Sequence, residues 1–337
     1  MPLPEPTPVL DLIDSFRRSK TMFTAVALGV FDRLREQPCS AAGLAGRLQT
    51  DADAMERLLD GCVGLGLLTK QAGVYTNQPV ADVYLCSASP HSMHGYVLYS
   101  DAVLFPMWAN LADAVREGTH RWKQTFDLDG PIFSHFFRTE DALRDFIQGM
   151  HGAGMVSSPR VVEAFDLSRF HRMVDLGGAT GHLVIAACER YPALRGAVFD
   201  LGRVTAFARE EVAQSPAHAR IEVLAGDFFE DDLPVADLYA LGRVLHDWSD
   251  QKIATLLGIV YDKLPPQGAL LIAEKLLDED KSGPVPALMQ SLNMLVITEG
   301  RERTAGEYGA LLRQAGFARV EARRTGSVVD AVLATKE

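Results

Sequence analysis

His246 is the residue in this sequence best suited to moving a proton. It ends an apolar run in LGRVLHDWSD, residues 241–250, with Arg243, Asp247 and Trp248 close by. Imidazole is the one side chain whose ordinary pKa lets it accept a proton near neutrality. Two acids stand far off along the chain: Glu274 closes ALLIAEK and Glu302 lies in TEGRERT. Either suits the third place in a base-and-orienter arrangement, holding the imidazole in one tautomer and stabilising its charged form. The plainer readings are an ordinary loop histidine and, for Glu302, a helix-terminus or salt-bridge role beside Arg301 and Arg303.

A second set of residues suits a ligand. MVDLGGATGHL, residues 173–183, reads as a strand running through Gly177, Gly178 and Gly181 into a helix. Glycines there let a ligand lie against backbone at the carboxyl edge of a sheet, although GGxxG is not the dinucleotide pattern GxGxxG and also fits a plain tight turn. Asp200, about 20 residues on, is placed to accept hydrogen bonds from ribose hydroxyls or, alternatively, to cap the following helix. GDFFEDDLP brings Gly226, Asp227 and Phe228 to the end of a third strand. There the carboxylate can take an exocyclic amine while the aromatic ring packs on adenine. Glycine loop and acid argue for an adenosine-containing ligand, and GDFF favours S-adenosylmethionine over a nicotinamide.

These residues need elements to hold them. From about Phe165 onward, short β-branched runs alternate with helical segments. HRMVDLGG, LRGAVFDL, ARIEVLAGDFF, VADLYALGRVL, GALLIAEKLL and SVVDAVLATK read as strands. The alternation predicts an α/β fold with a mainly parallel, doubly wound, Rossmann-like sheet. Before Phe165 the apolar spacing is helical. Ser40 opens one helix, Asp51 caps a second over residues 52–68, and TKQAGVYTNQ forms a hairpin with Gly73 at its tip. Helix, turn, helix and hairpin suggest a winged helix. The second helix carries Asp51, Asp53, Glu56 and Asp60 against Arg57 alone, the wrong sign for a phosphate-lined groove. Self-association is the better reading: a homodimer would cover the apolar faces of residues 10–34 and 96–115, which a large monomeric core would bury nearly as well.

Composition agrees. The 337 residues suit two domains, and 33 basic against 44 acidic residues give a net charge of −11. That argues against a sequence-independent nucleic-acid binder. No apolar run approaches the roughly 18 to 20 residues of a membrane span, and MPLPEPTPVLDLIDS has no basic leader, so a cytoplasmic protein is expected. Cys39, Cys62, Cys86 and Cys188 form no CxxC pair, so neither a zinc site nor a disulfide framework is expected.

DLGGATG, VFDL, GDFFEDDLP, GRVLHDWSD and SLNMLVITEGRERT, with SKTMFTAVALGVFD, MERLLD, LADAVREG and AFDLSRF, together resemble one family. It is the S-adenosylmethionine-dependent O-methyltransferases of the plant caffeate and isoflavone type, in the branch of acetylserotonin O-methyltransferase and its methyltransferase-like paralogue. The resemblance covers nearly the whole chain. It implies a winged-helix-like dimerisation domain over residues 1–110, connecting helices lining the active site over 111–164, and a Rossmann-like catalytic domain over 165–337. It implies S-adenosylmethionine as cofactor, S-adenosylhomocysteine as product and no metal. By the same resemblance Gly177 lines the methionine moiety, Asp200 binds ribose, Gly226, Asp227 and Phe228 serve adenine, and Arg243 contacts the cofactor. His246 matches the general base, framed by Glu274 and Glu302, with Asp247 beside it. Met289, Asn293 and Met294 fall in the helix that walls the acceptor pocket.

The expected reaction is methyl transfer to a phenolic hydroxyl of a small aromatic acceptor. The alternatives are an enzyme tailoring a polyketide, phenazine or similar product, and a catalytically idle relative. Four departures from the family pattern stand out. Ala179 replaces a third consecutive glycine, with little effect expected, and Gly202 replaces a proline. Phe137 and Gly154 stand where the acetylserotonin branch has a tyrosine and a tryptophan.

Overall fold

The structure, a computed structural model, describes residues 3–337. The chain forms two compact units: residues up to Phe105 with Arg144–Gly152, and Pro106–Leu143 with Ala153–Glu337. Of the stretch 111–164, therefore, Arg144–Gly152 packs with the first unit and the remainder with the second.

In the first unit α1 (Thr7–Ala27) and α2 (Val30–Glu36) precede α3 (Ala41–Leu48) and α4 (Ala52–Gly64). The Ser40 hydroxyl accepts the N–H of Gly43, and the Asp51 carboxylate accepts that of Ala54, capping α3 and α4. The hairpin is β1 (Leu68–Gln71) and β2 (Val74–Asn77), turned by Ala72 and Gly73, both at positive φ. The helix expected over residues 52–68 ends at Gly64. Gly66 takes the left-handed conformation, and Leu67 and Leu68 leave for the hairpin, where the Leu67 carbonyl accepts the N–H of Gln78. Leu34, Leu44, Leu59, Leu68 and Tyr75 close a separate small core.

The second unit is built on β3 (Arg172–Leu176), β4 (Arg195–Asp200), β5 (Ile221–Ala225), β6 (Leu238–Gly242) and β7 (Ala269–Glu274). A two-residue pair, β8 (Leu276–Leu277) with β9 (Arg303–Thr304), lies outside the main sheet. Then come β10 (Arg319–Arg323) and β11 (Asp330–Thr335), giving the order β10-β11-β7-β6-β3-β4-β5. The five strands from β3 to β7 are parallel, while β11 and β10 add antiparallel. Strand β10 was not expected from the sequence: RVEAR is largely exposed at the sheet edge and lacks an apolar run. The order reverses between β3 and β6, so the crevice of such a sheet opens at the carboxyl ends around that switch point.

Helices cover both faces, which is why the strands are apolar on both sides. Met173, Val198, Leu238 and Leu271 pack with Leu183, Val184 and Ala187 on one face. Val174, Phe199, Leu241 and Ile272 pack with Leu256, Val260 and Leu312 on the other. Sheet and helix pack tightly at Gly196, where an added Cβ would fall 2.4 Å from Val184 Cγ2 and 2.9 Å from Cys188 Sγ. Gly258, inside the helix Asp250–Lys263, has nothing within 4 Å of such a Cβ. Chemical denaturation should therefore show Gly196→Ala destabilising by roughly 1–3 kcal/mol. Gly258→Ala should be neutral or stabilising by about 0.5–1 kcal/mol.

Candidate active site

The five parallel strands deliver five of the candidate groups to one edge. Strand β3 ends in the glycine turn, β4 in Asp200, β5 in Gly226 and Asp227, β6 in Arg243 and His246, and β7 in Glu274. The sixth, Glu302, comes from the pairing of Leu276 with Arg303 across β8 and β9, which brings residue 302 back beside the end of β7.

His246 is 4% exposed, on a single helical turn just after β6. Its Nδ1 lies 2.7 Å from Glu302 Oε1 and 3.3 Å from Glu274 Oε2. Its Nε2 lies 3.8 Å from Asp247 Oδ1. The two acids that sequence left interchangeable thus have different work. Glu302 is the hydrogen-bond partner of the ring. Glu274 Oε1 accepts the backbone N–H groups of Val244 (3.0 Å), Leu245 (2.9 Å) and His246 (3.4 Å), fixing the segment that carries the ring. Burial is the largest influence on His246 and favours the neutral ring. Glu274, Glu302 and Asp247 together outweigh it and hold the imidazole up at about 9. Burial lifts Glu274 to about 7 and Asp247 to about 6, against the pull of His246 and Arg243. One ligand atom from each of His246, Glu274 and Glu302 lies within 4.8 Å of the others.

Arg303 was read from sequence as no more than a salt-bridge neighbour of Glu302. It is instead a buried clamp, 1% exposed. Its guanidinium donates to Asp250 at 2.6 Å and to the carbonyls of Leu245, Trp248 and Arg301. Both residues of β9 are buried, and a two-residue strand is too short to leave a period in the sequence. Gly300 makes room for the same loop, since a Cβ there would fall 2.2 Å from the His246 carbonyl oxygen.

On the ligand side, the carboxylate of Asp200 accepts the N–H of Ala179 (2.8 Å) on one oxygen and that of Leu201 (2.7 Å) on the other. It caps no helix: the next one, Thr205–Gln214, begins after Val204 with no side-chain cap. Burial lifts this carboxyl to about 6, opposed by the two N–H groups. Ala179 sits at φ +49°, so the residue expected to matter little carries left-handed strain of roughly 1–2 kcal/mol that glycine would avoid. Gly177 at φ +67° is bare where a Cβ would stand 3.1 Å from Val244 Cγ2 and 3.4 Å from Phe228 Cε1. Gly226 and Asp227 lead into a turn in which the Asp227 side chain accepts the N–H of Phe229. Phe228 is half-buried against Phe229, which meets Trp248 edge-on. Arg243, at φ +57°, lies close enough to Asp247 and Glu274 to favour their charged forms. In the helix Val285–Ile297, Asn293 and Met294 are buried, and Asn293 Oδ1 accepts the indole N–H of Trp108 at 2.8 Å. Met289, one turn earlier, is 46% exposed. Phe137 faces Arg203 and Phe133.

The fold is Rossmann-like, with the candidate groups gathered at the carboxyl edge of its parallel strands. A family model described as the O-methyltransferase domain matches residues 108–318, and one described as the O-methyltransferase dimerisation domain matches residues 10–87. Acetylserotonin O-methyltransferase of Gallus gallus is 41% identical over 98% of this chain and 97% of its own. A probable bifunctional dTTP/UTP pyrophosphatase/methyltransferase protein of Homo sapiens is 41% identical over 99% of this chain and 54% of its own length. The crystal structure of human N-acetylserotonin methyltransferase in complex with S-adenosylmethionine matches with a TM-score of 0.93 and 39% identity, covering 98% of this chain and 97% of that one. This chain belongs to the S-adenosylmethionine-dependent O-methyltransferases. Its cofactor is S-adenosylmethionine.

Asp175, which opens the glycine turn, is 1% exposed and has an unpartnered Oδ2. Burial, then the charge of Asp200, holds its carboxyl up to about 8, against the N–H of Val184. A folded-state pKa raised above the unfolded value of about 3.9 means stability is lost as pH climbs from there toward 8. Melting temperatures measured from pH 5 to 8 without ligand should fall more steeply for the wild type than for Asp175→Asn. Parallel curves would refute the assignment.

Proposed function

We propose that this chain moves a methyl group from S-adenosylmethionine to a phenolic hydroxyl of a small aromatic acceptor of the N-acetylserotonin kind, with His246 as general base. The observation that carries the reading is the buried His246–Glu302 hydrogen bond of 2.7 Å at the carboxyl end of β6.

The residues present fit the cofactor. Each oxygen of the Asp200 carboxylate uses one of its two lone-pair sites on backbone, which leaves capacity for ribose hydroxyls. The bare backbone of Gly177 gives the methionine moiety its approach, and Gly226, Asp227 and the half-buried ring of Phe228 serve adenine. Arg243 borders the same edge. When bound, the cofactor supplies a methyl carbon made electrophilic by a positively charged sulfur.

The chain's own residues do the rest. A phenol with a pKa near ~10 is mostly protonated at neutral pH, so its oxygen needs a base. With Nδ1 committed to Glu302, Nε2 of His246 takes the proton, a step typically worth about 10²–10⁴-fold. The carboxylates make this imidazole a stronger base than a free one, and they stabilise the imidazolium that forms. Glu274 keeps the ring-bearing segment in place. Asp247, Asn293 and Met294 wall the acceptor, with Met289 exposed one turn earlier on the same helix. Holding acceptor oxygen and methyl carbon in line contributes several kcal/mol more, roughly 7 to 11 at best.

The working unit we propose is a homodimer formed through a winged-helix-like N-terminal domain. Val9, Leu10, Leu12, Ile13 and Phe16 of α1 are more than half exposed, an apolar surface that a second copy would cover. We place the protein in the cytoplasm, since all four cysteines are unpaired. Among the described residues no helix is long and apolar enough to cross a membrane.

Label transfer from methyl-tritiated S-adenosylmethionine to a panel of phenols including N-acetylserotonin tests the reaction. His246→Ala should lower transfer at least a hundredfold, and equal transfer by both proteins would remove His246 from the mechanism. The base must be neutral to act, so activity should rise with pH toward 9. Glu274→Gln keeps an oxygen for the three N–H groups but removes a charge that raises the imidazole. Its rising limb should move to lower pH in a pH–rate profile, and an unmoved limb would count against the electrostatic account.

A further inference from the structure

His182 opens the helix His182–Arg190 directly after Gly181 and is half-buried. Its ring lies across the bare backbone of Gly154, in the helix Glu140–Glu163. A Cβ added to Gly154 would fall 2.2 Å from His182 Cδ2 and 2.4 Å from both Cγ and Nε2. One turn further along that helix, the Ser158 hydroxyl lies 2.8 Å from His182 Nδ1. A helical serine ordinarily bonds back to the carbonyl four residues earlier, as Ser157 does to Ala153. Ser158 reaches outward instead. The imidazole is therefore seated on one side by backbone with no side chain and fixed at one nitrogen, at the exit of the glycine turn.

The strand order gives this seat a ligand. In β3-β4-β5, ribose at the end of β4 and adenine at the end of β5 leave the turn after β3 for the rest of the molecule. That remainder is the amino-acid end, with an α-carboxylate and an α-ammonium group. We propose that His182 binds this amino-acid end of S-adenosylmethionine, and that Gly154 lacks a side chain because the seated imidazole occupies its space. The proposal rests on placing ribose at Asp200 and adenine at Asp227 and Phe228. Imidazole suits the task, since it can donate to a carboxylate or accept from an ammonium. The departure at Gly154 and the histidine at 182 become one feature: a large side chain at 154 and a ring at 182 cannot occupy the same volume.

Isothermal titration with two ligands tests this. S-adenosylhomocysteine keeps the amino-acid end, while 5′-methylthioadenosine keeps adenine, ribose and sulfur but lacks it. His182→Ala should weaken S-adenosylhomocysteine roughly tenfold or more and leave methylthioadenosine within about twofold. Gly154→Ala, which unseats the ring from the other side, should give the same selective loss. The double variant should be no worse than His182→Ala. Gly154→Ala also carries the test if His182→Ala does not fold. Unchanged binding of both ligands, or an equal loss for both, would overturn the proposal. A wild-type protein that binds neither compound would fail earlier, removing the cofactor placement at Asp200 and Asp227 and this assignment with it.

Discussion

One carboxylate oxygen, Oε1 of Glu274, gathers the N–H groups of three consecutive residues, Val244, Leu245 and His246. Strand β6 ends with Arg243 in the left-handed conformation, and the chain then turns so that its next donors converge on one point. Inside the end of a covered sheet those donors have no water to meet, and leaving them unpaired would cost a few kcal/mol in all. An acid at the end of the neighbouring strand meets that demand. The turn it fixes presents the His246 ring to Glu302. From the far side Arg303 ties the carbonyls of the same loop to Asp250, and Gly300 lets the two backbones approach.

The same constraint sets the electrostatics. Three carboxylates crowd one imidazole in a region from which solvent is largely excluded. Burial would neutralise every member of the group, and mutual attraction keeps the ring charged, so the outcome depends on which influence is larger at each residue. For His246 the summed carboxylates win, whereas for Glu274 and Asp247 burial wins. The result is an imidazole held charged up to about 9 beside two acids, Glu274 and Asp247, whose carboxyls burial raises toward neutrality. Such a group responds to any charge placed beside it.

The ligand side follows a different economy. Asp200 is held by two backbone N–H groups rather than by a cation, one on each carboxylate oxygen, so each oxygen keeps a second lone-pair site. One of those N–H groups belongs to Ala179, a strained residue, so the turn is kept in shape by the hydrogen bond rather than by intrinsic preference. The Gly154–His182 contact shows the same substitution of context for propensity: a missing side chain in one helix is filled by a ring from another.

The sequence by itself determined the alternation of strands and helices after Phe165, the capped helices and hairpin before it, and the placing of a glycine turn, a histidine and an acid at or just after strand ends. Those are local properties, readable because period, caps and strand-terminal positions repeat over a few residues. Strand β10 and the pair β8–β9 were not readable, being exposed at an edge or two residues long. The separate tasks of Glu274 and Glu302, the clamp made by Arg303 and the seat of His182 on Gly154 were decided only by tertiary structure. Each joins residues between 24 and 58 positions apart through backbone atoms, side-chain hydrogen bonds or the space left by a missing side chain, and such long-range pairings leave no spacing in the sequence to read.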